Sequence, residues 1–323
     1  MRYMELGSSG IQVSKMGLGT WAIGGGPAWS GGPSEQNAVD TIVEAVKQGI
    51  NMVDTAPGYN FGASEGIVGK ALKRVDREKV ILVTKCGVVW NRKGTVWNKV
   101  GDRQLYRLLT PESVKLEVEE SLDRLGTDYI DLYMTHWPSV PPFETPIAET
   151  VGALNELKTD GKIRAIGAAN VSISQIKEYV DCCELDLVQG KYSVLDRAVE
   201  DELLPLCREN KITMQAYSPL EQGLLTGTIT RDYRPEPGKK WWQPGNMERV
   251  IDMLDEWKPL CDKYDCTIPT LCLAWVMNQG GEVNLLTGAT APDQVDMNAR
   301  AADIVINEAD LCTMREMAEA LDA

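Results

Sequence analysis

Asp131-Leu132-Tyr133-Met134-Thr135-His136-Trp137-Pro138 reads as a buried strand running into a Trp-Pro turn, and His136 at its end is the one histidine in 323 residues. A side chain that exchanges protons near neutral pH, used once and at a strand end, is a catalytic candidate. The plain alternative is a core histidine held by a backbone hydrogen bond. What lies at the neighbouring strand ends separates the two.

Outward from this stretch the chain keeps one rhythm. Upstream, a hairpin over 3–13 turns at Ser8-Ser9-Gly10, and strands are predicted at 16–18, 51–53 and 80–84. Helices fall between them at 35–48, where Val39, Ile42, Val43 and Val46 keep helical spacing, and at 64–73. A long loop is expected over 88–109, after which Thr110-Pro111-Glu112 opens a helix in N-cap, N1 order. Downstream, strands are predicted at 163–168, 185–188, 212–216 and 283–286. Helices alternate with them at 146–159, from 172, at 200–208, through 263, at 267–277 and from 292, and a helical tail covers 308–321. A loop over about 219–245 interrupts the pattern. Eight strand–helix units predict an α/β fold: one (β/α)8 TIM barrel domain over 1–323, with an N-terminal β-hairpin and a C-terminal helical tail. An open doubly wound sheet would carry G-x-G-x-x-G before a helix. Gly17-Leu18-Gly19-Thr20-Trp21-Ala22 lacks the third glycine and runs into Gly24-Gly25-Gly26-Pro27, and no Walker A sequence is present.

In a barrel the chemistry sits at the C-terminal ends of the strands. Asp54 ends the second strand with Tyr59 five positions on, Lys85 ends the third and His136 the fourth. Singly, each has an ordinary reading as a turn cap, loop packing, a rim charge or a core imidazole. Together they suit carbonyl reduction, which needs a proton at oxygen as hydride reaches carbon. A tyrosine is a poor acid unless a cation lowers its pKa; Lys85 can be that cation, Asp54 can hold it, and His136 can position the carbonyl oxygen.

Asp54-Thr55-Ala56-Pro57-Gly58-Tyr59 with Gly62-Ala63-Ser64-Glu65, then Val83-Thr84-Lys85, then Asp131-Leu132-Tyr133 and His136-Trp137-Pro138 resemble the aldo-keto reductase superfamily. Ala216-Tyr217-Ser218-Pro219-Leu220 with Gly223-Leu224-Leu225-Thr226-Gly227 is similar to its cofactor segment after the seventh strand. Leu286-Thr287-Gly288-Ala289-Thr290-Ala291-Pro292-Asp293-Gln294 with Asn298 is similar to its adenosine-phosphate site after the eighth. The similarity spans the chain in order and is greatest to a bacterial subgroup that includes general-stress and inositol-locus reductases. It implies a tetrad of Asp54, Tyr59, Lys85 and His136, with Tyr59 as general acid. It implies that Asn170 and Gln189 hold the nicotinamide carboxamide, that Tyr217 stacks on the ring and that Gly19, Thr20 and Trp21 line its floor. Ser218, Leu220, Gly223 and Leu224 would touch the cofactor after the seventh strand, and Gly288, Ala289, Thr290, Gln294 and Asn298 after the eighth. Two positions depart from the pattern. Ala169 replaces a usual serine, removing a hydrogen bond worth about 0.5–1.5 kcal/mol. Thr290 stands where many relatives carry the cation that pairs with the NADPH 2′-phosphate. Either Arg231, Arg234, Lys239 or Lys240 replaces it, or cofactor choice is relaxed; the resemblance favours NADP(H) and the substitution leaves NAD(H) open.

Composition excludes other classes. A net charge of −14 argues against nucleic acid and anionic membrane surfaces, and no apolar run is long enough to span a bilayer. The eight cysteines form no C-x-x-C pair, and with one histidine no metal site is expected, which removes a metal-dependent hydrolase. Scattered cysteines and no secretory signal imply a reduced, cytoplasmic protein in which the sequon at Asn170-Val171-Ser172 goes unused. Nine tryptophans against two phenylalanines is an unusual balance. Trp21, Trp29, Trp90, Trp97, Trp137, Trp241 and Trp242 fall in expected strand-end loops. The first three and Trp137, with Tyr59 and His136, are the expected substrate lining, suited to a sugar or polyol. The 88–109 loop concentrates Arg92, Lys93, Lys99, Arg103 and Arg107 against the single acid Asp102, an anion contact or a solvated loop. The expected partner is a small carbonyl compound, met by a monomer or homo-oligomer. The rival reading is a nicotinamide-sensing regulatory subunit on the same fold, which would bind cofactor with negligible turnover.

Overall fold

Short apolar runs buried on both faces make the strands, and amphipathic segments with locally capped starts make the helices. The structure, a computed structural model, describes residues 1–26, 32–234 and 239–322. Strands β1 (Tyr3–Glu5) and β2 (Gln12–Ser14) form the antiparallel hairpin. There follow β3 (Met16–Gly19), helix α1 (Glu35–Lys47), β4 (Met52–Asp54), α2 (Ala63–Leu72) and β5 (Ile81–Cys86). Three strands then precede α3 (Pro111–Leu125): β6 (Val88–Val89), β7 (Thr95–Val100) and β8 (Arg103–Arg107). The alternation resumes with β9 (Ile130–Thr135), α4 (Ile147–Thr159), β10 (Ile163–Ala169), α5 (Ile173–Cys182), β11 (Leu187–Lys191), α6 (Leu203–Glu209) and β12 (Thr213–Tyr217). Helices α7 (Asn246–Glu256), α8 (Lys258–Lys263) and α9 (Ile268–Met277) lead to β13 (Val283–Gly288), α10 (Pro292–Ala299) and the tail helix α11 (Glu308–Glu319).

Eight strands close a parallel barrel in the order β3-β4-β5-β9-β10-β11-β12-β13. Closure is β13 on β3, with Gly288 opposite Gly19, and Gly19 in turn opposite Asp54. The chain is thus a (β/α)8 TIM barrel, as its rhythm predicts. Met52, Ile81, Val83, Leu132, Met134 and Leu187 fill the barrel interior, and Leu6, Ile11 and Val13 of the hairpin plug its lower end. The hairpin can sit there because residue 7 is glycine: its φ is +54°, and a Cβ would lie 2.5 Å from the Asp186 carbonyl oxygen. A larger apolar layer lies between barrel and helices.

Local signals set the helix starts. The Thr110 hydroxyl accepts the Ser113 N–H, with Pro111 at the first helical position, and Ser172 and Gln175 form a capping box. Asp131, in the stretch that ends at His136, is a clamp. It is buried and accepts from Arg77 (2.8 Å), Arg164 (2.6 Å) and the Leu82 N–H (3.0 Å), tying β9 to β5 and β10.

Two expectations change. Residues 88–109 are not simply a loop: β6, β8 and β7 form an antiparallel sheet over the barrel mouth. Pairing across a bulge between Val96 and Asn98 supplies order that composition did not suggest. Trp241 and Trp242, in the segment after β12, are not exposed wall residues. They are 6% and 8% exposed and belong to the core, with the Trp242 indole N–H donating to the Glu221 carbonyl. No described helix is long and apolar enough to cross a membrane.

Candidate active site

Parallel pairing brings the last residue of β4, the next-to-last residue of β5 and the residue after β9 to the same end of the barrel, so Asp54, Lys85 and His136 share one rim. Tyr59 arrives from the turn after β4. Lys85 is fully buried, and its Nζ donates to Asp54 Oδ1 (2.7 Å) and Oδ2 (2.9 Å), the Thr55 carbonyl (2.9 Å) and Tyr59 Oη (3.1 Å). The Tyr59 and His136 rings meet edge-on with centroids 5.6 Å apart. All four residues expected of the tetrad therefore come together.

Burial opposes the Lys85 charge, but Asp54 and Tyr59 hold its pKa above the usual lysine value, so it stays charged. Asp54 is the carboxylate partner, against the cost of its own burial, and also accepts from Gln189 Nε2 at 2.8 Å. For Tyr59 the expected direction is reversed. Lys85 does pull its pKa down, but burial outweighs it and the net shift is upward. His136 is held well below the usual imidazole value by burial, then by the Lys85 and Arg107 charges, so it is neutral. Its Nδ1 is buried without a hydrogen-bond partner.

A second ring surrounds these four. Asn170, in left-handed backbone (φ 58°) after β10, donates to the His136 carbonyl (2.9 Å) and accepts from Tyr217 Oη (3.0 Å). Gln189 spends its amide nitrogen on Asp54 and on Gln215 Oε1 (2.7 Å). Gln215 donates onward to Asn284 Oδ1 (2.8 Å), and Asn284 to the Ser14 carbonyl (2.8 Å). This polar chain runs from the tetrad through the barrel interior to the hairpin plug. Thr20 is buried, its hydroxyl donating to the Asp54 carbonyl (2.9 Å) and lying 2.7 Å from Ser64 Oγ, so it fixes β4 to α2.

A family profile described as "Aldo/keto reductase family" matches residues 15–319. The chain belongs to the aldo-keto reductase family. It is 63% identical over 325 aligned positions, covering all of both chains, to the NADH-specific methylglyoxal reductase of Escherichia coli strain K12. It is 39% identical to the aldo-keto reductase YhdN of Bacillus subtilis strain 168, over 96% of this chain and 91% of that one. Among solved structures it is similar to the glycerol dehydrogenase AKR11B4 from Gluconobacter oxydans, with TM-score 0.86, 32% identity and coverage of 98% and 94% of the two chains. As an aldo-keto reductase it is an oxidoreductase that uses a nicotinamide cofactor.

The residues present fit that cofactor. Gln189 Oε1 receives no donor among the described residues, and together with Asn170 it offers amide groups for a carboxamide. Ser218, Glu221, Gln222 and Gly223 take positive φ, a backbone form that gathers N–H groups into an anion-binding concavity. A Cβ on Gly223 or Gly288 would meet nothing within 4 Å. Leu220 packs at the core margin, and Leu224 is a core side chain that can offer only backbone. The Thr290 N–H and hydroxyl both donate to Gln294 Oε1 (2.8 and 3.2 Å). Ala289 is buried, and Asn298 bonds Thr287 Oγ1 and the Gly288 carbonyl, bracing the end of β13.

Of the expected aromatic wall, Trp21 lies 6.4 Å from Tyr59, and Trp137 follows His136. Trp90 packs instead on Phe61 (5.6 Å), with Arg103 and Arg124 over its ring. Trp29 lies outside the described residues. Trp97, absent from the expected lining, stands 6.5 Å from His136 and 5.5 Å from Trp137. Arg107 stands out in the sequence only as one of the basic residues of 88–109, and Gln215 and Asn284 escaped the sequence reading. The one available signal was a polar residue at an inward position of a buried strand.

Proposed function

We propose that this chain reduces a small aldehyde or ketone to the alcohol, with a 2-oxoaldehyde such as methylglyoxal as substrate and NADH as cofactor. The observation that carries the reading is the buried, charged Lys85 bonded to both Asp54 and Tyr59, with neutral His136 edge-on to the tyrosine. Burial keeps the Tyr59 proton in place until a carbonyl oxygen arrives to take it. The Lys85 charge then stabilises the phenolate left behind. His136, held neutral, hydrogen-bonds the carbonyl oxygen and sets its orientation. A bound nicotinamide supplies the hydride.

Support for NADH comes from three directions. Thr290 carries no charge for a 2′-phosphate. Arg231 is already paired with Asp252, and Arg234 bonds the Arg231 and Tyr233 carbonyls. The 63%-identical relative is named for NADH and methylglyoxal. The eight cysteines are all unpaired, which suits a cytoplasmic location. A polyol-like substrate is the second reading, favoured by the indole faces of Trp21, Trp97 and Trp137.

The test follows nicotinamide absorbance with methylglyoxal, aldoses and simple aldehydes, first with NADH and then with NADPH. The expected result is oxidation of NADH by methylglyoxal at a higher kcat/KM than NADPH. Tight cofactor binding with no turnover of any carbonyl would replace this reading by the sensing subunit.

A further inference from the structure

The basic run of the 88–109 segment divides once the sheet is formed. Arg92 pairs bidentately with Glu120 (2.8 and 3.1 Å). Arg103 lies 3.8 Å over Phe61, and Lys93 lies 6.0 Å over Phe143. Arg107, the last residue of β8, turns toward the tetrad side. Its guanidinium stands 4.8 Å over the Trp137 ring and 5.6 Å over Trp97, the two indoles beside His136. Among the described residues it has no ion pair or hydrogen-bond partner, and its Nε is buried and unsatisfied. The two indole centroids lie 5.5 Å apart, so both rings sit to one side of the guanidinium, and the N–H groups turned away from them suit a planar oxygen acceptor. Burial lowers its pKa, but an arginine remains charged. Its charge is also among those that keep His136 neutral, so its field reaches the reacting centre.

The geometry points to Arg107 as the specificity residue of this site, binding a second oxygen on the carbon next to the reacting carbonyl. The substrate class is then 2-oxoaldehydes and 2-oxo acids rather than simple aldehydes. His136 and Tyr59 take the reacting oxygen, while Arg107 takes the neighbouring carbonyl or carboxylate oxygen and so selects which end of the substrate enters. This rests on the reductase reading above and adds to it the residue that recognises the substrate.

The experiment measures kcat/KM with NADH for methylglyoxal, glyoxylate and propanal, which carry a vicinal carbonyl, a vicinal carboxylate and neither. Wild type, Arg107→Met, Arg107→Gln and the control Lys99→Met are compared. In wild type the two oxygenated substrates should be preferred over propanal. In both Arg107 variants the ratio of methylglyoxal to propanal should fall about tenfold or more, the loss expected for a charge-assisted hydrogen bond; glyoxylate should fall further because it is charged. Lys99→Met, which removes an exposed charge from the same sheet, should leave the ratio unchanged. The Gln variant keeps a polar stem if the Met variant fails to fold. An unchanged ratio in the Arg107 variants, an equal fall in Lys99→Met, or a wild-type preference for propanal overturns the assignment while leaving the reductase reading intact. Absence of turnover with all three substrates in wild type instead overturns the reductase reading, and this inference with it.

Discussion

Replacing Tyr59 by phenylalanine removes one atom whose only described partner is Lys85 Nζ at 3.1 Å. The ring keeps its contacts with Trp21 and His136, and Lys85 keeps three acceptors: both Asp54 oxygens and the Thr55 carbonyl. The stability loss should therefore lie near the lower end of about 1.5–3 kcal/mol, the range for a hydrogen bond to a charged group. Catalysis should suffer more. A positioned acid contributes about 10²–10⁴-fold, equivalent to about 2.7–5.5 kcal/mol of barrier at 1.36 kcal/mol per tenfold. The assay is steady-state NADH oxidation by methylglyoxal, beside cofactor titration by protein fluorescence and thermal unfolding. The expected pattern is kcat down at least a hundredfold, cofactor affinity unchanged and a small drop in Tm. A kcat within tenfold of wild type, in a folded variant, would refute Tyr59 as the proton donor.

Glu117 gives a pH signature. It is fully buried between the Gly87 N–H and Ser113 Oγ, and burial raises its pKa to about 8. The folded protein then holds a proton that the unfolded chain, with an ordinary carboxyl near 4.5, has released. Stability should fall as pH rises from about 5 to 8, by up to about 1.4 kcal/mol per pH unit. Glu117→Gln should flatten that slope in urea midpoints, since the Ser113 hydroxyl can turn to accept; an unchanged slope would assign it to other groups. Thr290→Arg supplies the missing cation and should raise the NADPH-to-NADH ratio of kcat/KM by roughly tenfold or more. An unmoved ratio would mean that the 2′ position lies elsewhere. Gln215→Leu leaves a Gln189 N–H and Asn284 Oδ1 without partners inside the barrel. At about 1–3 kcal/mol for each, the urea midpoint should drop markedly, and a shift below 1 kcal/mol would show that the interior chain is dispensable.

The barrel was legible because each βα unit announces itself locally. Short continuous apolar runs, helical spacing such as Val39, Ile42, Val43 and Val46, and the Thr110-Pro111 helix start all act within a few residues. The tetrad was legible for a related reason: once strand ends are known, parallel pairing brings Asp54, Lys85 and His136 to one rim. The sheet formed by β6, β7 and β8 was not, because polar strands with a bulge are stabilised by partners rather than by their own pattern. Trp241 and Trp242 read as mouth residues because a loop's composition does not say where it folds back. The direction of the Tyr59 shift also escaped the sequence, which shows the nearby cation but not the desolvation that outweighs it.

By itself the sequence determined the order of strands and helices, the family motifs, and which side chains end each barrel strand. These depend on local propensity and on spacing along the chain. The tertiary structure alone decided that Arg107 is stacked on Trp97 and Trp137 while Arg92 is spent on Glu120. It also decided that Gln189, Gln215 and Asn284 join into one chain, and that His136 is neutral with a buried, unpartnered Nδ1. Those outcomes depend on contacts between segments far apart in sequence and on removal from water, neither of which is a property of any single stretch of residues.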